Sequence, residues 1–336
     1  MQDEIRIGYN ELKTSFNDIL CRLGFSNEKA EACATVFANN SLDGVYTHGV
    51  NRFPRFVHNV KDGIVIADNE PIKTGGSNAL EQWDGQLGPG PLNAITCTDR
   101  AIELARQHGI GCVGLANTNH WMRGGAYAWQ AAKQGLAFIC WTNTIANMPA
   151  WGALDSRLGN NPLIMGIPYN EEAIVLDMAI SQFSYGAMEK LALMNQQLEV
   201  PGGFNQAGEM TTDPAEIIRT NRSLPVGYWK GSGLSLLLDI LAAVLSGGKS
   251  TFQVTEQKTE SALSQVFIAI DLQSLQNFPS INGLLKNIIA DYHAAAPDGS
   301  GKEILFPGER VVKTRQDNLL KGIPVNSKVW ENIQSL

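Results

Sequence analysis

Short apolar segments alternate with capped helical segments through the middle of the chain, and this alternation constrains the fold more than any other feature. The runs at 112–116, 136–141, 163–168 and 173–179 are rich in apolar residues and predict buried strands. Helical patterns bounded by Gly or Ser lie between and after them. The order of the elements predicts an α/β protein with a mainly helical N-terminal part.

Helix ends are indicated by residues that cap free backbone groups. Asn10 and Ser26 are the expected N-caps of the first two helices, because Asn and Ser side chains accept hydrogen bonds from backbone N–H groups. Pro54 suits the first turn of a third helix. Further along, Thr98 is the expected N-cap of a helix that ends at Gly109.

The segment Gly109-Ile-Gly-Cys-Val-Gly has the glycine spacing of a dinucleotide-binding loop. That loop requires a strand before it and a helix after it, because the pyrophosphate lies at the helix N-terminus. Here the predicted order is reversed. We interpret Gly109 as a helix C-cap and predict that no Rossmann-type loop lies at this place.

Composition excludes some classes of partner. The chain has 26 Lys and Arg against 33 Asp and Glu, a formal net charge of −7 with no basic block, so no nucleic acid is expected. The longest apolar run, 234–245, is interrupted by Ser235 and Asp239, so no membrane span is expected. Five widely spaced cysteines without Cys-x-x-Cys, and an acidic start without an apolar leader, favour a cytoplasmic protein.

A dense polar cluster occupies residues 46–56 in an otherwise apolar context. His48, between two glycines that are expected to make room for a ligand, can donate a proton near neutral pH. Arg52 follows four residues later and can bind a carboxylate through two parallel hydrogen bonds. The alternative is a surface histidine with an arginine that solvates a helix end.

Three further groups are candidates for ligand contacts, and each has an ordinary alternative. His120 follows a predicted strand and either contacts the substrate or belongs to a packed helix start. Lys230 and its neighbouring glycines form either an anion-binding helix start or a simple capped one. Asp177 either accepts hydrogen bonds from ribose hydroxyls, which favours NAD, or caps a turn. A metal held by His48 and His120 is not expected, since metal-ligand spacing and nearby carboxylates are missing.

Nearly the whole chain resembles the malate/L-lactate dehydrogenase-like oxidoreductases, a family distinct from the Rossmann-type lactate and malate dehydrogenases. The resemblance rests on Thr-His-Gly-Val-Asn-Arg-Phe-Pro-Arg-Phe at 47–56, Asn-His-Trp-Met-Arg-Gly-Gly at 119–125, Gly-Asn-Asn-Pro at 159–162, Leu-Asp-Met-Ala at 176–179 and Trp-Lys-Gly-Ser-Gly-Leu at 229–234. Two departures matter: Thr47 replaces the usual Ser, and Gly-Asn-Asn-Pro replaces the usual Gly-Thr-Asn-Pro. The Trp-rich segments look most like those of members that reduce 2-oxo sugar acids; they lie at 81–84, 140–143, 149–152, 183–186 and 224–230.

The resemblance implies an architecture and a cofactor. A smaller, mainly helical domain is implied to be built from both chain ends, residues 1–75 and 275–336. Residues 76–274 are implied to form a non-Rossmann α/β domain with a mixed sheet that holds NAD, with NADH preferred and NADPH possible. A homodimer is implied as well.

The resemblance also assigns residues to roles in the reduction of a 2-oxo acid by hydride transfer. His48 is implied as the proton donor, and the substrate contacts are Thr47, Arg52 and His120. Within the family, the alternative substrates are malate, lactate, ureidoglycolate or a cyclic imino acid. Outside the family, the alternative functions are a metal-dependent hydrolase and a non-catalytic binding protein. The implied cofactor contacts are Ala173, Ile174, Val175, Leu176, Asp177, Met178, Ala179, Trp229, Lys230, Gly308, Glu309 and Arg310.

Overall fold

The computed structural model describes residues 4–336, so the acidic start at 1–3 lies outside the described residues. The helices are α1 Tyr9–Arg22, α2 Asn27–Leu42, α3 Phe53–Lys61, α4 Gly90–His108, α5 Gly125–Ala132, α6 Tyr185–Leu193, α7 Pro214–Thr220, α8 Trp229–Ser246, α9 Thr251–Glu256, α10 Phe278–His293, α11 Glu309–Lys321 and α12 Ser327–Gln334. The strands are β1 Glu4–Ile7, β2 Ile72–Ser77, β3 Leu80–Asp84, β4 Ile110–Thr118, β5 Leu136–Thr142, β6 Met148–Pro149, β7 Ser156–Leu158, β8 Leu163–Tyr169, β9 Glu172–Met178, β10 Gly203–Phe204, β11 Met210–Thr211, β12 Leu263–Asp271 and β13 Ile323–Asn326.

A seven-stranded sheet forms the centre of the molecule, in the order β2-β3-β4-β12-β5-β8-β9. Only β3 and β4 run parallel, and the other neighbours in this sheet are antiparallel. Alternate residues of β12 enter two different cores: Phe267 packs with residues of α4 and α5, and Val266 packs with residues of α8. Because helices cover both faces, the central strands are apolar on both sides. The predicted α/β class with a mixed sheet is confirmed.

The two ends of the chain fold together into a mainly helical part. Strand β1 pairs antiparallel with β13, so that Glu4 lies opposite Asn326. Aromatic residues from the first three helices fill its core, and the rings of Phe16 and Phe53 stack with centroids 4.1 Å apart. Ile333 of α12 joins the same core. The expected helical part built from both ends is therefore confirmed, while its residue boundaries stay a prediction.

Two of the predicted helix starts differ from the structure. The first helix begins at Tyr9, so Asn10 is inside it. Thr98 lies buried in the interior of α4, because that helix begins at Gly90. A side chain at Gly90 would overlap the backbone of the loop that carries His120, which explains why a residue without a side chain begins the helix there.

The ends marked by Ser26 and Gly109 agree with the prediction. Ser26 accepts a hydrogen bond from the backbone N–H of Lys29. Gly109 ends α4 with φ of 82°, in the left-handed region, and its N–H bonds to the carbonyl of Ala105. Since β4 begins at the next residue, the rest of the glycine run lies within a strand and cannot serve as a Rossmann loop.

Helix α8 begins at Trp229, before the apolar run 234–245, so it is longer than that run alone indicates. Within residues 4–336 it is the one helix whose length and apolar character would suffice for a membrane span. Its Leu238 and Ala242 pack against the central sheet. The expectation that no membrane is bound stays a prediction.

Candidate active site

A cavity of about 670 Å³ lies beside the end of β9, and the N-terminal end of α3 and the loop after β4 contribute to its wall. This volume is in the range of small-molecule and cofactor sites. Thr47, His48, Arg52 and His120 all line it. The structure therefore brings together the predicted proton donor, His48, and the three side chains that were predicted to contact the substrate.

His48 is held by the short 3₁₀ helix Tyr46–His48 and its packing on α2. The side-chain amide of Asn40 donates a hydrogen bond of 3.0 Å to the His48 carbonyl. A Cβ at Gly49 would overlap Ser41, and one at Gly44 would lie 2.7 Å from a methyl carbon of Thr314. The expectation that these glycines make room for a ligand is therefore wrong, since they admit neighbouring parts of the protein.

The rings of His48 and His120 are stacked, with centroids 5.6 Å apart and planes 11° apart. Nδ1 of His120 accepts a hydrogen bond of 3.0 Å from the backbone N–H of Met122. A neutral His120 therefore carries its proton on Nε2, where it can donate to a ligand. Nδ1 of His48 lies 3.3 Å from the hydroxyl of Thr47, so Thr47 keeps a polar contact with the histidine.

Both histidines are held in the neutral form by their surroundings. Burial, followed by the positive charges of Arg52 and Arg123, lowers the pKa of His48 to about 4. Burial, Arg52 and His48 lower the pKa of His120 well below its usual value. The expectation of a near-neutral pKa for His48 considered the residue type alone and did not include these neighbours.

This arrangement predicts that the protein loses stability in mild acid. Below the unfolded-state pKa of ~6.5 the unfolded chain binds a proton at His48 that the folded chain does not bind until about pH 4. The free energy of unfolding should therefore fall as the pH drops from 6.5 to 4. His48→Gln should flatten this fall in urea titrations, whereas exposed His108→Gln should keep it. A wild-type slope in the His48 variant would contradict the assigned pKa.

Arg52 faces an acidic side chain that the sequence did not single out. Nη2 of Arg52 lies 3.5 Å from Oε2 of Glu260, and both side chains are largely enclosed. Arg55 and Glu189 line the same cavity. Glu260 was missed because its segment, Gln-Lys-Thr-Glu-Ser, has the composition of an ordinary exposed loop.

The strand and the turn that were predicted to hold the cofactor lie against each other. The N–H of Val175 donates a hydrogen bond of 2.9 Å to the carbonyl of Pro307. Gly308 has φ of 96°, and a Cβ there would lie only 3.2 Å from the backbone nitrogen of Val175. The predicted cofactor residues that line the cavity are Val175, Leu176, Asp177, Ala179 and Gly308.

The other predicted cofactor residues lie outside the cavity wall. Glu309 accepts a hydrogen bond from the N–H of Phe306 and contacts His293, so it stabilises the turn before α11. Trp229, 65% exposed, and Lys230 lie on the surface at the start of α8. Ala173, Ile174, Met178 and Arg310 also do not line this cavity.

Asp177 has one carboxylate oxygen engaged within the protein. Oδ2 accepts a hydrogen bond of 2.8 Å from the N–H of Gly125, and Arg123 lies 3.8 Å away. Burial raises the pKa of the Asp177 carboxyl, and Arg123 and the Gly125 N–H oppose this rise. The Asp177 side chain is still 28% exposed, so a ligand can reach its carboxylate. The contact with a ribose hydroxyl stays a prediction.

Arg123 is buried and joins three distant parts of the chain. It pairs with Asp43, to which Arg315 of α11 donates two hydrogen bonds of 2.7 and 3.1 Å. The sequence showed Arg123 only as part of a polar segment, because its partners are remote along the chain. Through this network the C-terminal end of α2, the loop before α5 and helix α11 hold the positive charge of Arg123, which contributes to the low pKa of His48.

Side-chain amides and a hydroxyl form one wall of the cavity, and their free hydrogen-bonding groups show whether a nicotinamide cofactor fits there. Oδ1 of Asn160 accepts hydrogen bonds from Thr144 and Asn147, which leaves the NH₂ of Asn160 available as a donor. Oδ1 of Asn147 is buried with no partner among residues 4–336. A donor and an acceptor side by side match the carboxamide of nicotinamide, so the residues fit this group. Asn160 thus supplies an amide where the family pattern has a hydroxyl.

No three His, Cys, Asp or Glu side chains come together as a possible metal site in the part of the chain that the structure describes.

Comparison with known proteins decides the family. Residues 7–334 match the sequence family described as malate/L-lactate dehydrogenase. The chain belongs to the malate/L-lactate dehydrogenase family. It is therefore an oxidoreductase, and the dehydrogenases and reductases related to it imply a nicotinamide cofactor.

Relatives resemble this family member over its full length. It is 45% identical over 333 residues to 2,3-diketo-L-gulonate reductase of Escherichia coli O1:K1, which covers 99% of this chain and 100% of the relative. Malate dehydrogenase from Pyrococcus horikoshii OT3 is 27% identical, with a TM-score of 0.89 over 98% of this chain and 94% of that chain. Malate dehydrogenase from Entamoeba histolytica shares the fold, with a TM-score of 0.94, 24% identity and coverage of 99% and 97%.

Proposed function

We propose that the protein reduces the 2-oxo sugar acid 2,3-diketo-L-gulonate to 3-dehydro-L-gulonate, with NADH as the hydride donor. The observation that carries the proposal is one cavity that holds His48 and Arg52 together with β9 and Gly308. The 45% identity to 2,3-diketo-L-gulonate reductase supports the choice of substrate.

Arg52 binds the substrate carboxylate and thereby fixes which carbon is reduced. A bound reduced nicotinamide cofactor supplies the hydride to C2. His48 donates the proton to the oxygen of that carbon, and His120 donates its Nε2–H to orient the substrate. Burial is the largest cause of the low pKa of His48 and Arg52 is the second; a substrate carboxylate on Arg52 would offset that second cause and so favour the protonated form that acts as an acid.

Asp177 is the reason for proposing NADH ahead of NADPH. A carboxylate can accept hydrogen bonds from ribose hydroxyls, and it repels a 2′-phosphate. The cofactor would be held by β9 and Gly308, whose backbones touch. The five cysteines are all free, as expected in a reducing compartment, so a cytoplasmic location is part of the proposal.

The proposal includes a homodimer in which a second copy covers an apolar face of α8. Large apolar side chains stand exposed along this helix: Trp229, Leu236, Leu237, Ile240 and Val244. Light scattering should therefore give twice the chain mass of 36.5 kDa. Leu237→Glu should shift the protein to a monomer, while Leu320→Glu on α11, where the leucine is 85% exposed, should not. A wild-type monomer would contradict this part.

A panel of 2-oxo acids tests the proposed reaction. The protein is assayed with NADH and with NADPH against 2,3-diketo-L-gulonate, oxaloacetate, pyruvate and a cyclic imino acid, by the absorbance of the reduced cofactor. The highest kcat/KM is expected for 2,3-diketo-L-gulonate with NADH, unchanged by a chelator. A higher kcat/KM for oxaloacetate or the imino acid would assign another substrate, and no turnover would refute the proposal.

A further inference from the structure

Glu260 occupies a position in the cavity that the proposed mechanism does not use. Its carboxylate is 3.5 Å from the guanidinium of Arg52, which is longer than a normal hydrogen bond of ~2.7–3.2 Å. Apart from this ion pair with Arg52, the Glu260 side chain makes no hydrogen bond to another residue within 4–336, so its oxygens are available as acceptors. The side chain is only 16% exposed, and this exposure is toward the cavity.

A substrate carboxylate on Arg52 would share that guanidinium with Glu260. The substrate carboxylate and the Glu260 carboxylate would then lie against the same guanidinium and repel each other. The enclosure of the Arg52 and Glu260 side chains limits the screening of this repulsion by solvent. A ligand that presents only a carboxylate would therefore bind against this repulsion. A ligand that also carries hydroxyl groups can donate one of them to Glu260, and a hydrogen bond to a charged acceptor is among the stronger ones.

We propose that Glu260 determines substrate specificity, by accepting a hydrogen bond from a hydroxyl of a sugar acid whose carboxylate lies on Arg52. This inference rests on the proposed function, because it uses the same cavity and the same carboxylate contact. Glu260 selects for hydroxylated 2-oxo acids and against plain ones of equal length.

The test compares Glu260→Gln with the wild type on two six-carbon acids, 2,3-diketo-L-gulonate and 2-oxohexanoate. Glutamine keeps the size of the side chain, removes its charge and leaves a weaker neutral acceptor. The ratio of kcat/KM for the hydroxylated acid to that for the plain acid should fall about tenfold, mainly through KM. The control is Glu256→Gln, since Glu256 is the exposed last residue of α9 and does not line the cavity; this variant should keep the wild-type ratio.

A binding measurement separates this inference from the proposed reaction. The Kd values of L-gulonate and hexanoate, which are not reduced, are measured by tryptophan fluorescence, with Glu260→Ala as a second variant. Loss of preference for L-gulonate in both variants supports the inference. An equal change in the Kd of both acids would show that Glu260 only competes with the ligand carboxylate for Arg52, and would overturn the inference. Unchanged Kd values for both acids would overturn it as well. Wild-type protein that binds but turns over neither 2-oxo acid would refute the proposed reaction instead.

Discussion

Replacement of His48 by alanine is expected to lower kcat for reduction of the 2-oxo acid by about 10²–10⁴-fold, the usual contribution of a positioned general acid. The Kd of NADH should stay the same, because His48 is expected to meet the substrate, whereas the cofactor is proposed to bind along β9 and Gly308. Steady-state kinetics and a fluorescence titration with NADH measure the two quantities.

The matched control is His108→Ala, which removes an exposed histidine at the end of α4. It should keep the wild-type kcat. If His48→Ala keeps the wild-type kcat as well, His48 is not the proton donor. A loss of cofactor binding equal to the loss of kcat would instead show that the variant disturbs the whole cavity.

The second large effect is expected for Arg52→Lys. Lysine keeps the charge but replaces a two-pronged contact with a single point charge, so one hydrogen bond to the carboxylate is lost. A hydrogen bond to a charged group is worth ~1.5–3 kcal/mol, which corresponds to an increase in KM of about 10–100-fold. The kcat should change less, provided that the carbonyl still faces the nicotinamide.

Arg157→Lys is the control for this substitution, since Arg157 is 72% exposed, pairs with the neighbouring Asp155 and does not line the cavity. Its KM should equal that of the wild type. An unchanged KM in Arg52→Lys would place the substrate carboxylate elsewhere, for example on Arg55, which lines the same cavity.

Local signals in the sequence were sufficient for much of the fold. Gly109 ends its helix as predicted, because a left-handed C-cap depends only on the residues next to it. Thr98 was assigned wrongly as a cap because the true start at Gly90 is explained by a contact with a distant loop. The pairing of β1 with β13 joins the two ends of the chain and was not predicted, because the family resemblance implied only that both ends form one helical part.

The site shows the same division between local and distant effects. His48 and Arg52 were found together because they are four residues apart, on one turn and helix start. The low pKa of His48 was not found, since it depends on burial and on Arg123, which is far away in the sequence. Glu260 was missed for the same reason: only folding brings its loop to Arg52.

Deuterium transfer gives the most direct test of the central claim. The protein is incubated with 2,3-diketo-L-gulonate and NADH that carries deuterium at the transferred position of the nicotinamide ring, and the product is examined by NMR. Our account predicts one deuterium at C2 of the product with the wild type, and its near-complete loss with His48→Ala over the same time. A product with deuterium at another carbon, or no oxidation of the cofactor, would contradict it.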